Sequence, residues 1–131
     1  MALKVYLSVP MVANRALERA RLMAKAIEDS GHVVTSPWVL GPLEKGGPSA
    51  PNVFQRDMKG AEECDILVAD VSDPSIGVGM EIMAAYKAGR RIVVTTKEGR
   101  VTSRMLLQMD GLEVVEYDED NQVYQGLRRI L

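Results

Sequence analysis

Short β-rich segments alternate with helical segments along the chain, and this alternation limits the fold more than any other feature. The strand-like runs are Lys4–Ser8, His32–Thr35, Asp65–Val71, Arg91–Thr95 and Leu112–Tyr117. The helical patterns span residues 13–30, 53–64, 77–88, 102–109 and 122–131. Strands that alternate with helices form βαβ units around a parallel sheet. We therefore predict one α/β domain over residues 1–131, a three-layer, doubly wound, flavodoxin- or Rossmann-like fold.

The simplest sheet of this kind has five mainly parallel strands in the order 2-1-3-4-5, and the pattern leaves the direction of the fifth strand open. In such sheets, ligands bind outside the carboxyl ends of the strands at the switch point, here between strands one and three. The segments that follow these two strands are Ser8–Asn14 and Asp70–Gly79. The segment Ser36–Asn52 holds four of the six prolines and is predicted to be a loop.

The scarcity of histidine and cysteine excludes several kinds of chemistry. With one His and one Cys, the chain cannot form an internal disulfide, a zinc site of four cysteines or a di-His metal site. A Ser-His-Asp or Cys-His mechanism would depend on His32, which starts strand two, away from the predicted site. We expect chemistry based on carboxylates, hydroxyls and backbone amides, with no metal and no organic cofactor.

The charge balance and hydropathy exclude two classes of partner. The 16 basic and 18 acidic residues form no basic stripe, so no nucleic-acid polymer is expected. The apolar runs are far shorter than the ~20 residues that a membrane span needs. The N-terminus carries no signal-peptide pattern, which predicts a cytoplasmic protein.

Glu81 is the most informative residue because it falls on an apolar face of the predicted 77–88 helix. That face is formed by Val78, Ile82, Ala85 and Ala88. A carboxylate on a core-facing stripe is costly unless it is paired or functional. The alternative is that Glu81 caps the start of its own helix.

Asp57 repeats this pattern on the preceding helix, close to Phe54 and Ala61 at the rim of the apolar face. Taken alone, it is more typical of a solvated residue. Together, Asp57 and Glu81 lie on the helices that flank strand three, and paired carboxylates around a pocket commonly cleave glycosidic bonds.

Other polar residues of the two loop segments are candidates for ligand binding. Gly77 and Gly79 open the Glu81 helix, where free amides bind phosphate or hydroxyl groups, and Ser72 and Ser75 precede them. The alternative is that these residues only shape and cap the turn. The motif is neither GxGxxG nor Walker A.

Strand one and the loops around it contribute the remaining candidates. Tyr6 needs a partner for its hydroxyl inside a buried strand, and a carboxylate would serve. Ser8 ends that strand. Arg15 is the candidate phosphate-binding cation or a solvated first-turn side chain, and Trp38 is either a stacking platform for a nucleobase or simple packing.

The 77–88 helix is also apolar on its opposite side, at Met80, Met83 and Ala84. A helix that is apolar on two sides is either sandwiched inside the domain or shared with a partner subunit. In a chain of 131 residues we expect the second arrangement, a homodimer.

The stretch Gln55–Ile82, QRDMKGAEECDILVADVSDPSIGVGMEI, resembles the nucleoside 2-deoxyribosyltransferase-like superfamily, most closely its 2′-deoxynucleoside 5′-monophosphate N-hydrolases. The shared features are a D-x6-[CA]-D-[IV]-x-V-A-[DE]-V run and the more specific P-S-[IL]-G-V-G-x-E. The opening V-Y-L-S strand and the downstream G-R-V-T-S-R-M segment extend the resemblance over most of the chain.

The resemblance implies a role for each matched residue. Glu81 matches the nucleophile that attacks C1′ of the sugar, Asp57 the acid that assists base departure and water activation, and Tyr6 the residue that orients the nucleophile. The positions implied near the ribose and the 5′-phosphate are Ser75, Gly77, Gly79 and, from the neighbouring subunit of a dimer, Ser103.

One departure from the family pattern concerns the phosphate. The hydrolases carry an S-I-R-G-G loop after strand one, whereas the loop from Ser8 to Arg15 holds no glycine, and Arg15 is the residue available to replace the family arginine. The prediction is hydrolysis of (2′-deoxy)nucleoside 5′-monophosphates to a free base and sugar 5-phosphate through a covalent glycosyl-Glu81 intermediate, with Ser8 and Arg15 at the phosphate. The alternatives are a base-exchanging deoxyribosyltransferase, a ribonucleotide or NAD-glycohydrolase-like enzyme, and a non-catalytic nucleotide-binding module.

Overall fold

Five parallel strands form one sheet in the computed structural model, which describes residues 1–12, 14–43 and 52–131. The strands are β1 (Lys4–Ser8), β2 (Val33–Val34), β3 (Ile66–Asp70), β4 (Arg91–Lys97) and β5 (Glu113–Tyr117). Their order is β2-β1-β3-β4-β5, and every neighbouring pair is parallel. The predicted α/β fold and strand order are therefore confirmed, and the fifth strand is parallel to the others.

The helices that connect these strands begin and end within a few residues of the predicted positions. They are α1 (Leu17–Asp29), α2 (Val53–Glu63), α3 (Ile76–Lys87), α4 (Arg104–Leu107) and α5 (Asp120–Ile130). The first helix begins at Leu17 rather than at residue 13. Inside the predicted loop, Pro37–Leu40 forms a short 3₁₀-helix, while Ala13 and residues 44–51 of the predicted loops lie outside the described residues.

The helices divide between the two faces of the sheet. Helices α1 and α5 pack together on one face, and α2 and α3 pack together on the other. The side chains of β3, which alternate between the two faces, are all buried, as is typical of a strand covered on both sides. The chain thus forms the three layers predicted for a doubly wound sheet.

Glycines set two features of this framework. Gly31 and Gly89, just after α1 and α3, have φ of 86° and 77°, a left-handed conformation that glycine adopts without steric cost. Gly126 in α5 lies so close to the sheet that a Cβ there would be 2.5 Å from Val115 Cγ1. The α5 layer can approach β5 this closely only because position 126 has no side chain.

Strand register brings the ends of β1 and β3 together. Ser8, the last residue of β1, pairs with Ala69, next to the last residue of β3. The segments that follow both strands therefore start at the same edge of the sheet, where the switch point is predicted.

Candidate active site

Glu81 lies on the buried side of α3 and reaches the end of β1. Its neighbours Val78, Ile82 and Ala85 are buried with it, as predicted, whereas Ala88, the fourth residue of the predicted face, is the exposed C-cap of the helix. Only 9% of Glu81 is exposed. Ser8 Oγ donates a hydrogen bond to Glu81 Oε1 at 3.3 Å. Glu81 therefore contacts the strand across from it, which capping of its own helix would not require.

Tyr6 lies two residues before Ser8 and faces the same side of the sheet, because side chains alternate along a strand. The residue is fully buried, yet its hydroxyl makes no hydrogen bond of standard geometry with any described residue. Buried hydroxyls are normally paired, and those without a partner require an explanation. This hydroxyl is close enough to Glu81 and Asp57 for both carboxylates to raise its pKa.

The Tyr6 ring owes its position to a glycine in α2. A Cβ on Gly60 would be 2.6 Å from Tyr6 Cε2 and 2.8 Å from Cδ2, well inside any tolerable contact distance. Gly60 follows Asp57 by one helical turn. The absence of a side chain at position 60 thus lets α2 approach β1 and brings Asp57 toward the Tyr6 hydroxyl.

Asp57 is part of a chain of side-chain contacts that ends at Tyr6. Arg56 Nε donates a hydrogen bond to Asp57 Oδ1 at 2.8 Å. The guanidinium carbon of Arg56 lies 4.1 Å from the centre of the Trp38 ring. The Trp38 and Tyr6 rings meet edge to face, with centroids 6.1 Å apart. Trp38 is thus at the site, with Arg56 over its ring.

Burial dominates the electrostatics of this cluster. The pKa of Glu81 is raised from 4.5 to about 7, chiefly because burial desolvates the carboxylate and also because the charge of Asp57 lies nearby. The hydroxyls of Tyr6 and Ser8 and the positive charge of Arg56 act in the opposite direction. Burial, followed by Glu81 and Asp57, also raises the pKa of the Tyr6 phenol above its ordinary range. The perturbed groups coincide with the predicted chemistry.

The start of α3 holds three of the predicted binding residues. Ser75 is the N-cap, and its Oγ accepts a hydrogen bond from the Val78 amide at 3.3 Å. A Cβ built on Gly77 or Gly79 would meet nothing within 4 Å, so the backbone there faces open space. Ser75 thus has the capping role given as the alternative, and it also stands beside accessible backbone.

Ser103 caps α4 and lies away from Glu81. Its Oγ accepts from the Leu106 amide at 3.4 Å. It lines a mainly apolar cavity of about 770 Å³ between α3 and α4, together with Ser75 and Gly79. Glu81, Asp57 and Tyr6 are not among the described residues that line this cavity.

Arg15 is held by backbone groups of the segment after β2. Its Nη1 donates to the Val39 carbonyl at 3.0 Å, and its Nη2 donates to the Gly41 carbonyl. It borders a smaller cavity of about 280 Å³ beside α1. Its guanidinium is therefore directed at the chain itself, on the α1 side of the β1–α1 loop.

Ser72, considered for a phosphate because of its place in the turn, is instead buried in a separate polar network on the opposite face of the sheet. Its Oγ lies 2.6 Å from the Tyr117 hydroxyl and accepts from the Lys97 amide at 2.8 Å. The Tyr117 hydroxyl also donates to Asp70 Oδ2 at 3.0 Å. Arg19 completes the network at 3.7 Å from Asp70 and 3.0 Å from Asp120.

Two residues of the site are absent from the sequence-based prediction. Arg56 escapes notice because successive residues on a helix do not face each other, so a pair with Asp57 is not expected from spacing. Gly60 could be noticed only as a glycine inside a helix, where glycine lowers helix stability by about 1 kcal/mol relative to alanine. Its contact with Tyr6 depends on tertiary structure.

Over the described ranges, no cluster of three or more His, Cys, Asp or Glu side chains is arranged to ligate a metal ion. None of the helices in those ranges has the length and hydropathy of a transmembrane span.

Comparison with known proteins identifies the family to which this chain belongs. The family model described as nucleoside 2-deoxyribosyltransferase matches residues 5–124. The chain belongs to the nucleoside 2-deoxyribosyltransferase family, as its motifs predict.

Relatives and solved structures agree with this membership. A protein of Thermofilum pendens named "Putative 2′-deoxynucleoside 5′-phosphate N-hydrolase 1" is 33% identical over 137 aligned positions, which cover 98% of this chain and 95% of that protein. The mouse 5-hydroxymethyl-dUMP N-hydrolase is 33% identical over 82 positions, 58% of this chain and 47% of that one. The fold is that of Clostridium botulinum CMP N-glycosidase BcmB, with a TM-score of 0.76 at 20% identity, covering 98% of this chain and 99% of that one.

Proposed function

We propose that this chain is an N-glycosidase that hydrolyses 2′-deoxynucleoside 5′-monophosphates to a free nucleobase and deoxyribose 5-phosphate. The observation that carries the proposal is Glu81, a buried carboxylate with a raised pKa beside Ser8, Tyr6 and Asp57. Family membership and the names of the relatives, several of which are N-hydrolases of deoxynucleotides, support the substrate class.

In the first step of the proposed reaction, Glu81 attacks C1′ of the sugar. The C1′–N bond breaks as a C1′–Oε bond forms, and the departing base takes a proton from Asp57, which acquires that proton from solvent as the substrate binds. Ser8 holds one oxygen of Glu81 at 3.3 Å, which favours a fixed direction of attack. The Tyr6 hydroxyl lies beside both carboxylates and makes no hydrogen bond of standard geometry, so it is available to orient Glu81 or to bind the substrate.

In the second step, water attacks C1′ of the covalent glycosyl-enzyme intermediate. Asp57 takes the proton of that water, and the carboxylate of Glu81 is released. Two displacements at one carbon retain its configuration, so the sugar product leaves as the same anomer as the substrate. The residues in this cycle start and end in the same protonation state.

The phosphate end of the substrate is assigned to the start of α3, where Ser75, Gly77 and Gly79 offer a hydroxyl and accessible backbone. Helix N-termini favour anions. Arg15 reaches the phosphate only by exchanging its carbonyl partners Val39 and Gly41, so a contribution from Arg15 requires rearrangement of that loop. Ser8, engaged with Glu81, serves the phosphate less directly than the sequence predicts. The nucleobase is assigned to the side of the site near Trp38.

A homodimer is part of the proposal. The exposed side of α3 and the neighbouring α4 segment carry large apolar side chains that are typical of an interface. These are Ile76, Met80, Met83, Val101 and Met105. In the proposed dimer, Ser103 of each subunit reaches the phosphate in its partner's site. Mixing Glu81→Gln and Ser103→Ala subunits tests this, because one site of each mixed dimer then carries neither substitution and recovers activity.

The nearest alternative is a deoxyribosyltransferase, which passes the same intermediate to a second base instead of water. The Bacillus psychrosaccharolyticus 2-deoxyribosyltransferase shares the fold with a TM-score of 0.71 at 23% identity. Adding an acceptor base during the reaction separates the two activities: a transferase yields a new nucleoside, and a hydrolase yields only free sugar phosphate.

The decisive experiment incubates the purified protein with deoxy- and ribonucleosides and their 5′-monophosphates and measures free base by chromatography. We expect release from deoxynucleoside monophosphates in the wild type and in the exposed control variant Glu116→Gln, and none in Glu81→Gln. An Asp57→Asn variant slows both steps, because Asp57 acts in each. With a deoxynucleotide whose base departs without acid assistance, the second step becomes limiting, and quenched samples analysed by mass spectrometry should carry the sugar phosphate on the peptide that contains Glu81.

Three results would contradict parts of the proposal. Absence of base release from every compound in the wild type rejects the hydrolase and leaves a nucleotide-binding module. Release from nucleosides alone rejects the phosphate assignment, and release from ribonucleotides alone rejects the deoxyribose assignment. Full activity in Glu81→Gln rejects the covalent mechanism.

A further inference from the structure

Arg56 occupies a position between an aromatic ring and a carboxylate. It contacts Asp57 through its Nε atom at 2.8 Å, and its guanidinium lies over Trp38 at 4.1 Å. The Arg56 and Asp57 side chains are only 27% and 19% exposed, so solvent screens their interaction weakly. The resemblance and the proposed mechanism give Arg56 no role.

The geometry of this pair is not what a helix provides by itself. Adjacent residues point in directions about 100° apart, so a free arginine would not stay on the carboxylate beside it. An unrestrained arginine also loses up to about 2 kcal/mol of side-chain entropy when it is fixed. The planar guanidinium stacks on an aromatic face while its edge donates hydrogen bonds, and Trp38 provides that face. Trp38 thus holds Arg56 in place, and Arg56 holds Asp57.

The charge of Arg56 also acts on Glu81. Among the described residues, the groups that shift the pKa of Glu81 include Tyr6 and Ser8 from β1 and Asp57 and Arg56 from α2. Asp57 repels the ionised form of Glu81, and Arg56 is the cation that opposes this effect. Two carboxylates in one half-buried cluster repel each other strongly unless a positive charge lies close to them.

We propose that Arg56 is a positioning residue for the proposed glycosidase reaction: stacked on Trp38, it fixes the carboxylate of Asp57 and offsets the negative charge that Asp57 and Glu81 share. The inference rests on the proposed function for its kinetic consequences, but its electrostatic consequence concerns the free protein. Orientation and charge are separate contributions, and different substitutions remove them.

Arg56→Gln removes both contributions. The expected result is a kcat that is about 10- to 100-fold lower, because Asp57 loses its fixed geometry. The acidic limb of the profile of kcat/KM against pH should also move to higher pH, because Glu81 loses a nearby cation. Arg56→Lys keeps the positive charge but loses the planar group that stacks on Trp38. The acidic limb of its pH profile should therefore lie close to that of the wild type, while its kcat stays reduced.

The role of Trp38 is tested by a double-mutant cycle. If the ring acts largely through Arg56, Trp38→Leu lowers kcat more in the wild type than in Arg56→Gln, where only its contact with the Tyr6 ring is left to lose. The matched control is Arg90→Gln, because Arg90 Nε also donates to α2, to the Glu62 carbonyl at 2.8 Å, but at an exposed position away from the site. The control should match the wild type in kcat and in pH profile.

An unchanged kcat and pH profile in Arg56→Gln would overturn the proposal, as would additive effects of Trp38→Leu and Arg56→Gln. A carbon-13 NMR titration of the Glu81 carboxyl in substrate-free protein tests the charge contribution independently. We expect the midpoint to rise in Arg56→Gln and not in Arg56→Lys, and an unmoved midpoint would reject it. If the wild type releases no base but the midpoint still rises, the proposed function fails while the electrostatic inference stands.

Discussion

Two buried polar clusters lie at the same edge of the sheet on opposite faces, and they differ in how completely their hydrogen bonds are satisfied. On the α2–α3 face, Tyr6 and Glu81 share a cluster in which the tyrosine hydroxyl has no standard partner. On the α1–α5 face, the Tyr117 hydroxyl bonds both Asp70 and Ser72. Both tyrosines are almost fully buried, so burial alone does not distinguish them.

This difference distinguishes the candidate functional site from a polar cluster that stabilises the fold. A network with all its partners in place lowers the free energy of the folded state and specifies one arrangement. A buried hydroxyl without a partner, beside a carboxylate whose pKa is raised to about 7, costs stability and persists where the groups are needed for chemistry. Each of the following predictions tests this contrast, from the largest expected effect to the smallest.

Glu81→Gln should abolish base release, by on the order of 10³-fold or more, because an amide cannot form the glycosyl ester. The same variant should be more stable than the wild type above pH 7. Because the folded-state pKa of Glu81 lies above the ordinary 4.5, its ionisation removes stability as the pH rises through about 7. Chemical denaturation at pH 8 should show a gain of roughly 1–3 kcal/mol, shrinking toward pH 5. A lower free energy of unfolding for Glu81→Gln than for the wild type at pH 8 would contradict this difference between the two clusters.

The two tyrosines provide a matched pair of Tyr→Phe variants. Tyr117→Phe should lower the free energy of unfolding by about 1–3 kcal/mol, because Asp70 and Ser72 lose a buried partner, and should leave kcat within about twofold. Tyr6→Phe removes no hydrogen bond of standard geometry, although it removes a hydroxyl that lowers the pKa of Glu81, so its loss of stability should be smaller than that of Tyr117→Phe while kcat falls about tenfold. Equal losses of stability in the two variants would show that the clusters do not differ in this respect.

Gly60→Ala adds a methyl group against the Tyr6 ring and leaves both polar clusters chemically intact. Crowding of this kind typically costs about 1–3 kcal/mol, more than the ~1 kcal/mol that alanine gains in a helix interior. We expect a small net loss of stability and a kcat about tenfold lower, because Tyr6 and Asp57 move apart. Gly111→Ala, at a turn with positive φ far from Tyr6, is the control that loses stability without this loss of kcat.

The smallest expected effect is on the pH dependence of the wild type. In the proposed mechanism Glu81 must be ionised to attack, and the pH dependence of kcat/KM reports the pKa of this group in the free protein. With Glu81 at about 7, kcat/KM should rise with pH and be roughly half of its plateau near pH 7. A plateau that extends unchanged down to pH 5 would show that Glu81 does not govern the reaction.

The strand order and the inward position of Glu81 could be predicted because they follow from patterns among residues that are close together in the sequence. The alternation of strands and helices gives the strand order, and the helical spacing of Val78, Glu81 and Ile82 places the carboxylate toward the core. The chain order also brings Tyr6 and Asp57 to the same switch point.

The remaining features depend on distances that no local pattern encodes. The partner of Ser8 is 73 residues away, the contact of Gly60 with Tyr6 depends on how closely α2 packs, and Arg56 needs the ring of Trp38 to reach Asp57. Helix α1 begins four residues later than its pattern predicts. We find no cap that explains this start, since Ala16 at its N-cap makes no side-chain hydrogen bond.

The two helix glycines that touch the sheet have a consequence for protein engineering. Replacing helical glycines with alanine is a common route to thermostable variants, because it restricts the unfolded chain. Here Gly60 and Gly126 act as spacers that set how closely the outer layers approach the sheet, at Tyr6 on one face and Val115 on the other. Alanine at position 126 would weaken the packing of α5 against the sheet, whereas alanine at position 60 would also disturb the proposed catalytic cluster.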